Sequence, residues 1–187
     1  DPTSQQLVPT VTGILYFATN PARFLPQAEI LLTYFAGTNL ERITRTLDLQ
    51  GPLPSLAEQV ISNLLPHLSL EQQRRGLRLT PTRYEIPEAA LREALLNALL
   101  HRKYHLPDAI KVAVFTDRVE VCSPGNFPGP ITDLRSGVSY SRNPHLRQLA
   151  RKQGLVEKRG FGFRLMLDAC LQNGNPEPQI LERDDAV

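Results

Sequence analysis

The segment REALLNALLHRKY, Arg92–Tyr104, carries two patterns at once. Leu91, Ala94, Leu95, Ala98 and Leu99 recur at the spacing of a buried helix face. Glu93, Asn97 and His101 fall four apart, so they stack as one polar stripe down the same helix. Leu96 and Leu100 lie on one side of that stripe and the Ala/Leu face on the other. The stripe has a bland reading, in which Asn97 and His101 are satisfied core groups and Glu93 pairs with an arginine. It also has a chemical one. An Asn amide oxygen can ligate Mg²⁺, and a Glu one helical turn earlier can orient a water.

Working outward, Pro87 stands where a first-turn proline belongs, and Glu88 suits the positive helix end. The helix is expected to run to about Tyr104. AIKVAVF, TDR and VEVCS then read as a hairpin with a short polar turn. PGNFPGPITDLRSGVSYSRN is long and rich in Gly and Pro, a loop of the kind that carries function or moves. Asn143 is expected to cap a helix that has Pro144 at its first position and Gly154 at its end. LVEKRGFGF leads into a last helix, FRLMLDACLQNG, closed by Gly174. Upstream, ILLTYF reads as a strand, VTGILYFA as helix or strand, Leu56–Leu65 as an amphipathic helix, and RLTPTRYEI as extended chain.

The chain has 187 residues, 41% of them hydrophobic, which is enough for one ordinary domain with a small second layer. A net charge of +2 does not by itself point to nucleic acid. Cys122 and Cys170 lack the spacing of a metal site and are expected in the core of a reduced, cytoplasmic protein. No apolar run reaches the length of a membrane span, and nothing reads as a signal peptide. DPTSQQLVPT opens without initiation context, and NPEPQILERDDAV stops where a strand is beginning, so a fragment of a longer protein is expected. No G-x-x-x-x-G-K-[ST] occurs, so the fragment is not a P-loop motor by itself.

Two further pieces carry candidate chemistry. In SPGNFPGPI, Gly125 and Gly129 permit unusual backbone angles close to a ligand, or simply a stiff connector. In EKRGFGFRLM, Gly160-x-Gly162 precedes an apolar helix whose free N–H groups suit a phosphate, with Lys158, Arg159 and Arg164 adding charge; a tight turn needing glycine is the plain alternative.

Taken in order, a helix with E-x-x-x-N, a strand with a Gly-containing loop, a long lid-like loop and G-x-G opening a helix resemble the GHKL ATPases, the superfamily of gyrase, the histidine kinases and MutL. The chain is more closely similar to a bacterial and archaeal family of transcriptional regulators, also described as ATP-dependent DNA helicase RecG-related. PTVTGILYFATNPARFLPQAEI, REALLNALLHRKY, RVEVCSPGNFPGPI and SRNPHLRQLARKQGLVEKRGFGFRLM carry that resemblance over nearly the whole chain. It implies an ATP/Mg²⁺ cleft in which Glu93 matches the water-activating Glu and Asn97 the Mg²⁺-binding Asn. His101, Asn126 and Lys158 would join the nucleotide site, Gly125 would belong to the first Gly box, and Gly160 and Gly162 to the phosphate-side box. It also implies a DNA-binding N-terminal module ahead of residue 1. One departure stands out: the family's adenine-reading Asp is replaced by Ser123-Pro124-Gly125-Asn126. Activity is therefore expected to be at most that of a weak ATPase on a degenerate site.

The expected architecture is α/β (α+β), a two-layer, GHKL-like sandwich. Its mixed sheet, built on the 110–123 hairpin, is covered on one face by helices at 87–104, 144–153 and 163–173. Residues 1–75 would be a small α/β lead-in and 76–187 the ATPase-like domain, truncated at its C-terminus. Two other readings remain. One is a winged-helix DNA-binding module using the basic segment 144–160, with Arg142, Arg147, Arg151, Lys152, Lys158 and Arg159 on phosphates. The other is an inert scaffold that forms homodimers. A wing would have to be followed by a returning strand, whereas FRLMLDACLQNG looks helical.

Overall fold

The computed structural model describes residues 7–68, 70–75, 78–135, 138, 140–156, 162–182 and 186–187, with backbone alone for 70–75, 78–83 and 135. Helix α1 (Val11–Phe17) is followed by strands β1 (Glu29–Phe35) and β2 (Ile43–Gln50) and helix α2 (Leu53–Leu64). A separate hairpin, β3 (Leu70–Arg75) and β4 (Arg78–Tyr84), precedes helix α3 (Glu88–His101). Strands β5 (Ile110–Val114) and β6 (Val119–Cys122) come next, then helices α4 (Pro144–Lys152) and α5 (Gly162–Asn173).

The main sheet runs β2-β1-β5-β6. Its outer pairs are antiparallel, and its central pair, β1 with β5, is parallel. The sheet is therefore mixed, as the sequence led us to expect. Strand side chains alternate in direction, and Ile30, Leu32, Tyr34, Ile110, Val112 and Val114 all point to one face and are buried. On that face they meet α2, through Leu53, Leu56, Ala57, Val60, Ile61 and Leu64, and α3. Burying a leucine of this kind contributes roughly 1.5–3 kcal/mol. One hydrophobic cluster runs from Leu15 to Ala150, so strands from the first fifty residues and the 110–122 hairpin share a sheet and a core.

Several expectations need correction. The strand β2 was not foreseen, because ITRTLDLQ is mostly exposed and only Leu47 and Leu49 half-bury against the core. The helices over the sheet include α2, whereas α5 packs mainly on α3. The buried residues of α5, Met166 and Cys170, join Ala90 in a second small cluster. Cys122 is exposed, because Val121 takes the inward position on β6 and the next residue points the other way. Helix α5 stands where a winged helix would return a strand, which removes the physical basis of that reading. The C-terminal residues do pair as a strand would: Val187 N–H donates to Ser123 O at 3.0 Å, and Pro124 bridges Ala186.

The α3 helix is anchored at its C-terminal end. The last carbonyls of a helix lack intrahelical donors, and here side chains supply them. Ser123 Oγ donates to Ala98 O at 2.9 Å, Tyr104 Oη to Leu99 O at 2.8 Å, and Asn143 Nδ2 to both Leu100 O and Arg102 O at 2.9 Å. Asn143 is therefore not the side-chain cap of α4 that its position suggested; its amide is spent on α3. Replacing it removes two hydrogen bonds worth about 1 kcal/mol each. Asn143→Ala is expected to lower stability by about 2 kcal/mol in urea unfolding; a negligible loss would mean that water satisfies both carbonyls.

Candidate functional site

The polar stripe survives folding. On α3, Asn97 Nδ2 donates to Glu93 Oε1 at 2.9 Å, one turn back. The pairing engages the amide's N–H and leaves its carbonyl oxygen, on the other side of the amide carbon, as the available hard-oxygen donor. Leu95, Leu96, Ala98, Leu99 and Leu100 surround the stripe with buried hydrocarbon.

Helix α5 begins directly against this pair. A Cβ built on Gly162 would lie 1.7 Å from Glu93 Oε1, so only glycine allows the carboxylate this close to the start of the helix. A helix N-terminus is electropositive and presents unpaired N–H groups, and a carboxylate there is favoured. The residue expected on the phosphate side of a nucleotide and the residue expected to activate water are thus neighbours.

His101 ends the stripe in a different setting. Its Nδ1 is shut from solvent with no hydrogen-bond partner among the described residues. Burial first, and then the charges of Arg147 and Arg142, push its pKa down to about 4, so the ring is neutral near pH 7. As a neutral group it can accept or donate one hydrogen bond, but it does not neutralise an anion by charge.

The first glycine loop is arranged around side chains of this protein. Gly125 has φ of +105°, and a Cβ there would stand 2.6 Å from Cγ of Lys103. Lys103 N–H also donates to Pro124 O at 2.9 Å, which joins the loop to the end of α3. Asn126 is exposed, and its backbone carbonyl accepts from Arg142 Nη2 at 2.6 Å. The loop continues through Gly129, which lies under the Tyr140 ring, and Tyr140 Oη donates to Asp133 Oδ2 at 2.5 Å. Gly125→Ala meets both an unfavourable φ and a crowded lysine stem, and an expected loss of about 1–3 kcal/mol follows. Thermal unfolding measures it, and an unchanged midpoint would show that the loop relaxes freely.

The residues expected to form the site thus divide into three groups. Glu93, Asn97 and Gly162 come together. Gly125 and Asn126 lie on the loop that reaches α3 through Lys103 and reaches Arg142, while His101 is within electrostatic reach of Arg142 and Arg147. Lys158 and Gly160, with Arg159, lie outside the described residues. At the position where the resemblance led us to expect an adenine-reading Asp, the Ser123 hydroxyl is buried and committed to Ala98 O. Among the described residues no group of three or more His, Cys, Asp or Glu forms a metal cage. A cation held by Asn97 would take its remaining ligands from water and phosphate, as Mg²⁺ commonly does. No helix of the described residues is long and apolar enough to cross a membrane. Sequence reasoning missed Arg142 and Arg147 as partners of His101. The neighbouring Asn143 was the available signal, but it was read as a local cap.

Comparison with known proteins bears on the C-terminal half of this arrangement. Residues 108–187 match the family described as "Putative ATP-dependent DNA helicase recG C-terminal". Gly125, Asn126, Arg142, Arg147 and Gly162 fall inside the matched range, and the α3 stripe lies just before it. Among solved structures, the chain is similar to the DIP2311 protein from Corynebacterium diphtheriae, with a TM-score of 0.71 and 27% identity, over 95% of this chain and 39% of that one. The chain thus spans about two-fifths of the length of that protein. No curated protein matches the chain.

Proposed function

We propose, from the premise that residues 108–187 belong to a RecG-related, ATPase-like domain, that the chain binds an adenine nucleotide with Mg²⁺ as part of a DNA-associated transcriptional regulator. The observation that carries this reading is the meeting of Glu93, Asn97 and Gly162. It gathers a carboxylate, an amide oxygen and an electropositive helix start, the three groups that a hydrated Mg²⁺–phosphate ligand requires.

In this reading Asn97 holds the cation through its amide oxygen, Glu93 orients water, and glycine at 162 lets the start of α5 close up to both. Mg²⁺ would supply charge neutralisation of the phosphates. With Ser123 occupied, purine selectivity is weak, and hydrolysis is slow at best. DNA contact belongs to a module outside these residues. The inert, dimer-forming scaffold is the second reading, and the loss of the purine reader at 123–126 favours it.

Titration calorimetry of the chain with ADP and a non-hydrolysable ATP analogue, with and without Mg²⁺, decides between them. Micromolar binding, about −8 kcal/mol, is expected with Mg²⁺. Asn97→Ala is expected to abolish it while circular dichroism stays unchanged. If the variant binds like the parent, the Asn97 assignment fails. If the folded parent binds nothing, the scaffold reading stands.

A further inference from the structure

We propose that the corner where the end of α3 meets the start of α4 is a phosphate-binding site built from His101, Arg142 and Arg147. It does not rest on the nucleotide reading above, which concerns the other end of the stripe.

The corner is fixed by Asn143. Its side-chain amide donates to Leu100 O and Arg102 O, the residues on either side of His101, both at 2.9 Å. Arg142, adjacent to Asn143, is thereby held at the end of α3, and Arg147 lies at the first turn of α4. Arg142 is tied down further by its bond to Asn126 O at 2.6 Å.

Three polar groups at this corner lack what such groups normally have. His101 Nδ1 and Arg142 Nε are both closed to water and have no hydrogen-bond partner among the described residues. Arg147 is half-buried and makes no ion pair among them. No acid stands in the first turn of α4. Buried polar groups are ordinarily satisfied, and each orphan costs roughly 1–3 kcal/mol. One imidazole nitrogen, the Nε of a guanidinium whose Nη2 is already spent on Asn126 O, and a second guanidinium with no ion pair among the described residues stand together at this corner.

An anion with several oxygens suits this set of groups. Guanidiniums pair with phosphate through parallel N–H donors. A neutral imidazole can share a proton with a phosphate monoester, whose second ionisation lies near pH 6. Burial first, and then the charges of Arg147 and Arg142, depress the ring's basicity, and a bound anion relieves the second of these causes.

The test is proton NMR of the whole chain titrated with inorganic phosphate at pH 7, against sodium chloride at matched ionic strength. The chain has four histidines, and His101→Gln assigns the ring. A saturable shift of the His101 resonance, absent with chloride, is expected. Arg142→Gln and Arg147→Gln should each weaken phosphate binding at least tenfold. The Arg147 side chain makes no hydrogen bond among the described residues, so its variant tests the site without loosening the loop. Asn97→Ala should leave phosphate binding unchanged, which separates this site from the nucleotide reading. Competition by ADP would identify a nucleotide tail as the natural source, and independence from ADP would identify free phosphate. A shift equal to that with chloride, or wild-type affinity in both arginine variants, would overturn the proposal.

Discussion

Arg102→Met is expected to destabilise the chain by about 3–5 kcal/mol, as removal of one buried charged partner does elsewhere. Arg102 is 1% exposed, and Asp108 and Glu29 act on it by charge without a hydrogen bond from its guanidinium to either carboxylate among the described residues. Its two Nη groups are satisfied by main chain, while its Nε is shut from solvent with no hydrogen-bond partner among the described residues. Nη1 donates to Gln27 O at 2.7 Å, Nη2 donates to Leu106 O at 3.2 Å and to Asp108 O, and the group lies 5.3 Å from the centre of the Tyr104 ring. Burial pulls its pKa below the ordinary arginine value and pushes that of Tyr104 up. Methionine fills much of the volume and supplies no donor, so three carbonyls lose their partner together. Urea unfolding reads the effect as a lower midpoint at constant slope. A loss under about 1 kcal/mol would mean that water replaces the guanidinium. Arg102→Lys should fall between, because an ammonium cannot fan its donors in one plane.

Acid should destabilise the chain through His101. Its folded pKa is about 4, below the ordinary 6.5, because of burial and then Arg147 and Arg142. The unfolded chain therefore takes up a proton at a higher pH than the folded one. The stabilising preference for the neutral ring is intact above pH 6.5 and is lost progressively as the pH falls toward 4, below which both states are charged. Over that window the loss attributable to this ring approaches about 3 kcal/mol. Other groups titrate nearby, so the measurement is a difference: stability from pH 7.5 to 4 for the parent and for His101→Gln. The parent should decline more steeply, and parallel curves would sink the assignment.

Much of the fold was legible from local pattern. Leu91 to Leu99 revealed α3, ILLTYF revealed β1, and the turn TDR located the β5–β6 hairpin, because each announces itself within a few residues. The edge strand β2 did not, since its outward residues are charged or polar and only Leu47 and Leu49 touch the core. The stripe was legible as a stripe, but its partners were not. That Glu93 rests against Gly162, that Lys103 fills the space over Gly125, and that Asn143 serves α3 instead of α4 are all matters of long-range geometry. The burial of Arg102 was not foreseen, because backbone carbonyls at 27, 106 and 108 leave no signature in side-chain sequence.

The parallel pairing at the centre of the sheet has a kinetic consequence. Ile30 lies beside Ile110, eighty positions further along the chain, and between them the chain must first make α2, a separate hairpin and α3. Loop-closure entropy is spent before this pairing rewards it, so joining the two hairpins should be a late, slow event in folding. Until it happens, β5 and β6 are an isolated two-stranded ribbon, marginal in water. Residues 108–187 expressed alone should therefore collapse without settling, however completely that stretch matches a family, because the strand that completes their sheet is made near the beginning of the chain.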